Sequence, residues 1–311
     1  YFADVHNPKP EKGKKFGEKL TGRQEKHNCA SNYAKNAVFS GGKDGKDEPK
    51  MAFTVHAVMP GVWHIVDCMG VCMTLLEGEN AAMLVDTGYG IEDVADFMRH
   101  MTDLPLTVFL THNHHDHALG ARCFPKTYML EADMADWRMF TDDKMRRRVL
   151  TQAIGKNLPV DEKTFLAGEI PLPKVMKPGV IDLGGLTAEI IEAPGHTPGS
   201  AVVYVPERKL LLSGDDWNPC TWLFFPQALG LREYRSNMRG IQQLPFEKVL
   251  CPHREALYDR WMFDDFFNAL TDGNLRAAEP VNIAPYEQID TCQATLPHDQ
   301  VLVFDWAKSG L

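Results

Sequence analysis

The stretch "THNHHDHALG", residues 111–120, places four histidines and one aspartate within the six positions from His112 to His117. It follows directly on the apolar run "LTVFL", residues 106–110, so the cluster stands at the C-terminal end of a predicted strand. His112 and His114 are two residues apart. On an extended strand end their rings project to one side and present two ligands to a first metal ion. Asp116 and His117 follow in the turn. Because neighbouring residues point apart, this pair is better placed to serve a second ion beside the first. A dinuclear centre is therefore expected, and it needs further donors from elsewhere in the chain.

Three later strand ends supply them: "EAPGHTPGS" (192–200) offers His196, "LLLSGDDW" (210–217) offers Asp215 and "VLCPHRE" (249–255) offers His253. Each lies just past a run of strand character. Upstream, "FTVHAV", "GVWHIVD", "VCMTLLEG" and "AAMLVDTG" read as successive strands separated by Gly, Pro or Asn turns. "GIEDVADFMRHM" has helical spacing at Ile91, Val94, Phe97 and Met98. Residues 129–175 are helical in pattern, with "DDKMRRRVLTQAIG" the clearest piece and a Pro-rich connector behind it, and are expected to form a cap over the site. The charge run "MRRRV" within them reads as a solvated helix face.

Strands resume with "VIDLGG", "LTAEIIEAPG", "SAVVYVPE" and "KLLLSGD". "LREYRSNMRGIQQL" and "REALYDRWMFDDFFNALTDG" read as helices flanking the short strand "EKVLCPH", and "QVLVFDW" is expected to close the sheet near the C-terminus. Two sheets with helices outside follow from this order. Residues 1–50, rich in Lys, Glu, Gly and Asn, read as an N-terminal arm preceding one domain over 51–311.

The 311 residues, 44% hydrophobic and 24% charged, are enough for a full core. A formal net charge of -9 offers no counterion release to a polyanion, which disfavours nucleic acid as a partner and favours a small molecule. No apolar run approaches the roughly 18 to 20 residues that span a bilayer, so no membrane role is expected. The seven cysteines, Cys29, Cys68, Cys72, Cys123, Cys220, Cys251 and Cys292, lack the spacing of a disulfide framework, which points to a cytoplasmic setting. Tyr1 in place of Met leaves a removed export signal open. A homodimer is also left open.

The ordered series "LVDTG", "HNHHDH", "APGHTPGS", "LSGD" and "PH" resembles the metallo-β-lactamase superfamily, the group that includes glyoxalase II and lactonases. The resemblance runs from about Phe53 to His253. It implies an α/β fold, a four-layer αββα sandwich with metals at one edge between the sheets. It further implies that His112, His114 and His196 hold one metal, that Asp116, His117 and His253 hold the other, and that Asp215 bridges both. Asp86 of "LVDTG" corresponds to a position behind the ligands that steadies their loop. His115 points away from the metals, and His6, His27, His56, His100 and His298 are ordinary surface or core histidines.

Paired divalent ions roughly 3.5 to 4 Å apart share a water and lower its pKa towards neutrality. The resulting hydroxide attacks a carbonyl, with Asp116 as the catalytic residue that orients it and shuttles the proton. Zinc suits imidazole and carboxylate donors, as do iron and manganese. The reaction class is hydrolysis of a small ester, thioester or lactone. Asp215 stands where the β-lactamases of the superfamily carry cysteine or serine, which favours a glyoxalase II-like or lactonase-like enzyme. Asn218 stands where homoserine-lactone lactonases carry tyrosine, and the 58 residues after His253 leave little room for a glutathione-binding domain.

"DDWNPCTWLFFPQ", residues 215–227, sets Trp217, Asn218, Trp222, Phe224 and Phe225 beside the site as candidates to line a pocket; packing of the loop is the equal alternative. Arg254 is a candidate for a substrate carboxylate, and His64 for the wall of the cleft. The alternatives in other classes are an iron-dependent redox enzyme of the persulfide dioxygenase kind, a phosphodiesterase, and a non-catalytic metal-binding protein. The complete second ligand set, the acidic chain and the intact seven donors count against each in turn.

Overall fold

The computed structural model describes residues 53–311 and the two-residue strand β1 (Lys14–Lys15). Apart from β1, the expected N-terminal arm lies outside the described residues, with His6, His27 and Cys29. Strands β2 (Thr54–Met59), β3 (Val62–Val66), β4 (Cys72–Glu77) and β5 (Ala82–Val85) form an antiparallel meander. Helix α1 (Val94–Met101) then carries the chain over to β6 (Leu106–Phe109), which pairs parallel with β5. After the short helix α2 (His115–Ala118) come β7 (Tyr128–Met129), helices α3 (Trp137–Thr141), α4 (Asp143–Gly155) and α5 (Glu162–Phe165), and β8 (Lys174–Val175). Strands β2 to β8 make one seven-stranded sheet in sequence order.

The second half supplies β9 (Gly179–Asp182), β10 (Thr187–Glu192), β11 (Ala201–Val205), β12 (Leu210–Leu212), β13 (Cys220–Leu223), helix α6 (Leu231–Ile241), β14 (Lys248–Leu250) and β15 (Ala256–Asp259). Helices α7 (Arg260–Ala269) and α8 (Asp272–Arg276) follow, then β16 (Glu279–Pro280), β17 (Thr291–Leu296) and β18 (Gln300–Asp305). The second sheet runs β1-β15-β14-β12-β11-β10-β9.

The two sheets meet face to face. Val62, Leu76, Met83, Val85 and Phe109 from the first interleave with Ala188, Ile190, Val203, Val205, Leu210 and Leu212 from the second. On the far side of the first sheet, Ile65, Leu75, Leu84 and Val108 pack on Val94, Phe97, Met98 and Met101 of α1, an i, i+3, i+4, i+7 stripe. Asp93 caps that helix by accepting from the Asp96 N–H. On the far side of the second, Val202, Tyr204, Leu211 and Val249 pack on α6 and α7. With both faces covered, β3, β11 and β12 are buried along their whole length, which is why β11 and β12 read as continuous apolar runs. Helix, sheet, sheet, helix is the αββα sandwich that the motif series implies.

Two expectations about the last sixty residues are corrected. "REALYDRWMFDDFFNALTDG" is not one helix: Ala256–Asp259 is strand β15, held between β14 on one side and β1 on the other, and α7 begins only at Arg260. Ladder bonds on both edges outweigh the helical spacing of the apolar residues. "QVLVFDW" does not close a main sheet. Strand β18 joins a separate four-stranded sheet, β13-β18-β17-β16, in which Cys220–Leu223 pairs parallel with Val301–Phe304. That sheet shares a core with α6 and α7, through Leu223, Phe224, Leu302 and Phe304.

Candidate metal centre

All seven donors expected from the sequence come together at one edge of the sandwich. His112 and His114 lie in the turn after β6, Asp116 and His117 in α2, His196 in the β10–β11 connection, Asp215 after β12 and His253 after β14. They fall into two groups, His112, His114, His196 and Asp215 in one and Asp116, His117 and His253 in the other, each with donor atoms within 4.8 Å of one another. Asp215 stands between the groups. Its Oδ2 lies 3.5 Å from His196 Nε2 and 3.9 Å from His112 Nε2, its Oδ1 lies 3.4 Å from His117 Nε2, and His253 Nε2 meets both oxygens, at 3.0 Å from Oδ1 and 3.1 Å from Oδ2. Asp116 Oδ2 is 3.8 Å from both His117 Nε2 and His253 Nε2.

The rings are aimed by what stands behind them. His117 Nδ1 donates to Asp86 Oδ2 at 2.9 Å, leaving Nε2 to face the cluster. His112 Nδ1 meets Thr111 Oγ1 at 3.0 Å, and Thr111 in turn donates to Asp86 through both its hydroxyl and its backbone N–H. His196 Nδ1 donates to the Trp222 carbonyl at 2.7 Å, which likewise turns Nε2 inward. Asp216, whose carbonyl accepts from the Tyr234 hydroxyl, holds the His196 N–H through Oδ1. His114 turns Nδ1 towards His196 Nε2, 2.8 Å away, and the amide of Gln227 sits 2.6 Å from its Nε2. Close backbone approach sets the loops: a side chain at Gly120 would meet the Thr87 carbonyl, so "LVDTG" lies directly on the turn that carries His117.

The donor set fits divalent cations. His112 Nε2 and His117 Nε2 are buried and have no hydrogen-bond partner, a costly state for two polar atoms that converge on one carboxylate. Electrostatics agree. Burial opposes charge on His117, yet the carboxylates of Asp215, Asp116 and Asp86 raise its pKa. Burial likewise opposes ionisation of Asp215, but His253 and His117 hold its carboxyl well below the usual range. Burial keeps His112, His114 and His196 neutral, the form that binds metal. His115 belongs to neither group: its Nδ1 lies 3.9 Å from Asp116 Oδ1, and its ring packs edge-on to Tyr89.

The pocket candidates divide. Trp217 and Phe224 are fully buried in the core, Trp217 against Tyr258 and Phe263, so neither lines a pocket. Asn218 shapes the turn before β13, accepting from the Cys220 N–H. Trp222 is half-buried and packs on Phe224 and Phe225. Arg254 donates to its neighbour's carbonyl, that of His253, and its charge acts on Cys251 and Tyr258. His64 is buried behind the donors, bonded to Thr74 Oγ1 and the Arg254 carbonyl, beside Asp86, Thr111 and Gly214 in a small internal cavity.

The aromatic that does face the donors is Phe225, 4.9 Å from the His114 ring and 5.4 Å from that of His196. Phe140 of α3, from the region expected to cap the site, packs on His114 at 4.5 Å. Sequence reasoning missed Phe140, Gln227 and Asp133. Asp133 ties two donor loops together, accepting from the Asn113 N–H, the Thr197 hydroxyl and the Gly199 N–H. The motifs "HNHHDH" and "GHTPGS" are visible in the sequence; that Asn113 of the one and Thr197 and Gly199 of the other meet at Asp133 is not.

The fold and this cluster define a metal-dependent hydrolase of the αββα type. The family model of the metallo-beta-lactamase superfamily matches residues 66–253, and the chain belongs to that superfamily. The acyl-coenzyme A thioesterase MBLAC2 of Gallus gallus is 25% identical over 202 residues, 58% of this chain and 70% of the thioesterase. Among solved structures, the sec-alkylsulfatase Pisa1 from a Pseudomonas species superposes with a TM-score of 0.54 at 15% identity, covering 73% of this chain and 43% of the sulfatase. A metallo-beta-lactamase family protein from Thermus thermophilus gives 0.50 at 20% identity, with 71% and 82% covered. Among the described residues no helix is long and apolar enough to cross a membrane.

Proposed function

We propose that the chain is a dinuclear metal-dependent hydrolase of small acyl esters and thioesters, lactones included, with thioesters the preferred class. In this reading His112, His114 and His196 would hold one ion and Asp116, His117 and His253 the other, with Asp215 shared between them. The observation that carries it is the position of Asp215, whose carboxylate lies within 3.9 Å of imidazole nitrogens from both groups, with His112 Nε2 and His117 Nε2 buried and unpartnered around it. The thioesterase relative supports thioesters over other acyl compounds. Five imidazoles and two carboxylates with no thiolate favour zinc, with iron and manganese suited by the same donors.

Ions bound there supply Lewis acidity and an acidified water. The chain's own residues do the rest. Asp116 Oδ2, among the donor nitrogens yet partly open to the cleft, is the base that takes the proton of the attacking water and returns it to the leaving group. Asp86 and Thr111 keep the rings of His112 and His117 in one tautomer throughout. Phe225 and Phe140 wall the His114 side with apolar surface, which excludes competing water and strengthens every charge interaction inside.

The test is turnover of an acyl thioester panel by zinc-loaded protein and by Asp116→Ala. Loss of about 10²- to 10⁴-fold in kcat for the variant is expected. Metal-independent turnover, or a variant as active as the parent, overturns the reading.

A further inference from the structure

The loop that follows β13 is held from the far end of the chain. Strand β13 runs parallel to β18 with Leu223 paired to Phe304, so the residues after each strand emerge at the same end of that sheet. After β18 comes the short turn Trp306–Lys308, which Asp305 caps by accepting from the Ala307 N–H. The half-buried Lys308 turns its ammonium onto the loop, donating to the carbonyls of Phe225 at 3.2 Å, Pro226 at 2.6 Å and Ala228 at 3.1 Å. An ammonium has three N–H donors, and here three carbonyls take them. Carbonyl oxygens aimed at one spot repel one another, so the loop keeps this shape only with the cation between them. The backbone is equally close: a side chain at Gly230 would meet the Lys308 carbonyl, 2.7 Å from its Cβ.

The clamped loop touches the donor region in three places. The Leu229 N–H donates at 2.9 Å to the carbonyl of Gly195, the chain neighbour of His196. The Phe225 ring packs on His114 and His196. Between these, the Gln227 side-chain amide lies 2.6 Å from His114 Nε2, while His114 Nδ1 faces inward, 2.8 Å from His196 Nε2. His114 presents Nδ1 as a bare donor only when its ring proton sits on Nε2. Gln227 stands where it holds that proton, since a half-turn of the amide sets its oxygen against the ring N–H. Asp86 gives this support to His117, and the Trp222 carbonyl gives it to His196; for His114 the group in place is Gln227.

We propose that Lys308 and Gln227 are positioning residues of the metal centre: Lys308 fixes the loop over 225–228, and Gln227 on that loop holds His114 in the orientation and tautomer that turn Nδ1 inward. The inference rests on the proposed metal centre and extends it to the C-terminal turn, which carries none of the seven donors. Lys308 acts through Gln227, and Gln227 through His114.

Zinc affinity, read by competition with a chromogenic chelator, tests the pair. Gln227→Leu cannot accept a hydrogen bond and should bind zinc about 10- to 100-fold more weakly. Gln227→Glu can only accept, and it should stay within about threefold of the parent or bind more tightly. Lys308→Met releases the loop and should weaken binding about tenfold. Adding it to Gln227→Leu should change little further, because both act through one contact. A Gln227→Glu variant as weak as Gln227→Leu, losses that add in full, or no loss in either Gln227→Leu or Lys308→Met overturn the proposal; a merely structural loop would give the first two. A parent that takes up no zinc sinks the metal reading instead, and the imidazole nitrogen NMR shifts of His114 in the metal-free protein then decide the inference. Shifts in Lys308→Met that move with those of Gln227→Leu support it, and shifts that stay with the parent's overturn it.

Discussion

His117 Nδ1 donates to Asp86 Oδ2 at 2.9 Å, and the same carboxylate accepts from Thr111, whose hydroxyl meets His112 Nδ1. One buried acid therefore sets the tautomer of an imidazole in each of the two donor groups. Asp86 holds a backbone φ of 64°, a left-handed conformation that asparagine also adopts readily. Asp86→Asn keeps the loop but turns an N–H towards His117 Nδ1, so the ring proton moves to Nε2 and into the cluster. Zinc affinity, read by competition with a chromogenic chelator, is expected to drop about 10- to 100-fold. Unchanged affinity would remove Asp86 from the account.

His64 is expected to make folding acid-sensitive apart from any metal. Burial lowers its pKa from 6.5 to about 4. The unfolded chain then binds a proton at pH values where the folded chain does not. Stability present above pH 6.5 is lost as pH falls towards 4, by about 3 kcal/mol in all. In His64→Gln that loss is absent. Urea unfolding of both proteins at pH 7, 5.5 and 4.5 should show the gap between them closing as pH falls; a constant gap would contradict the reading.

Phe224 and Phe225 are adjacent but do different work. Phe224 is fully buried in the core shared with α6, so Phe224→Ala should cost about 3 to 5 kcal/mol of stability. Phe225 contacts His114 and His196, so Phe225→Ala should alter KM and kcat on thioesters more than does any other change in the "WLFF" run that still folds. Melting curves and steady-state kinetics on the two variants check the division. The reverse pattern would restore Phe224 to the pocket.

That pair shows what a sequence withholds. The seven donors were legible because each ends a strand of clear pattern, and strand ends on one edge of a sandwich share a neighbourhood. Which aromatic of a run faces the donors depends on where β13 stops, and β13 exists because it pairs with β18, some eighty residues away. No local spacing announces that pairing. The run "MRRRV" misleads for a related reason: it does not form the expected solvated face, since Arg146 is buried and donates to the carbonyls of Phe165, Ala167 and Gly168 while Arg147 is exposed, and only the packing of α4 selects between them. The apolar spacing of β15 suits helix and strand alike, and its partners β1 and β14 decide.

The central claim is that Asp215 joins two cation sites into one centre. Elemental analysis of zinc bound after exhaustive dialysis, on the protein and on Asp215→Asn, tests it most directly. About two ions per chain are expected in the parent, and in the variant a loss from both sites, with at most one weakly held ion remaining. A parent that retains no metal, or an Asp215→Asn variant that keeps both ions as tightly, would contradict the account.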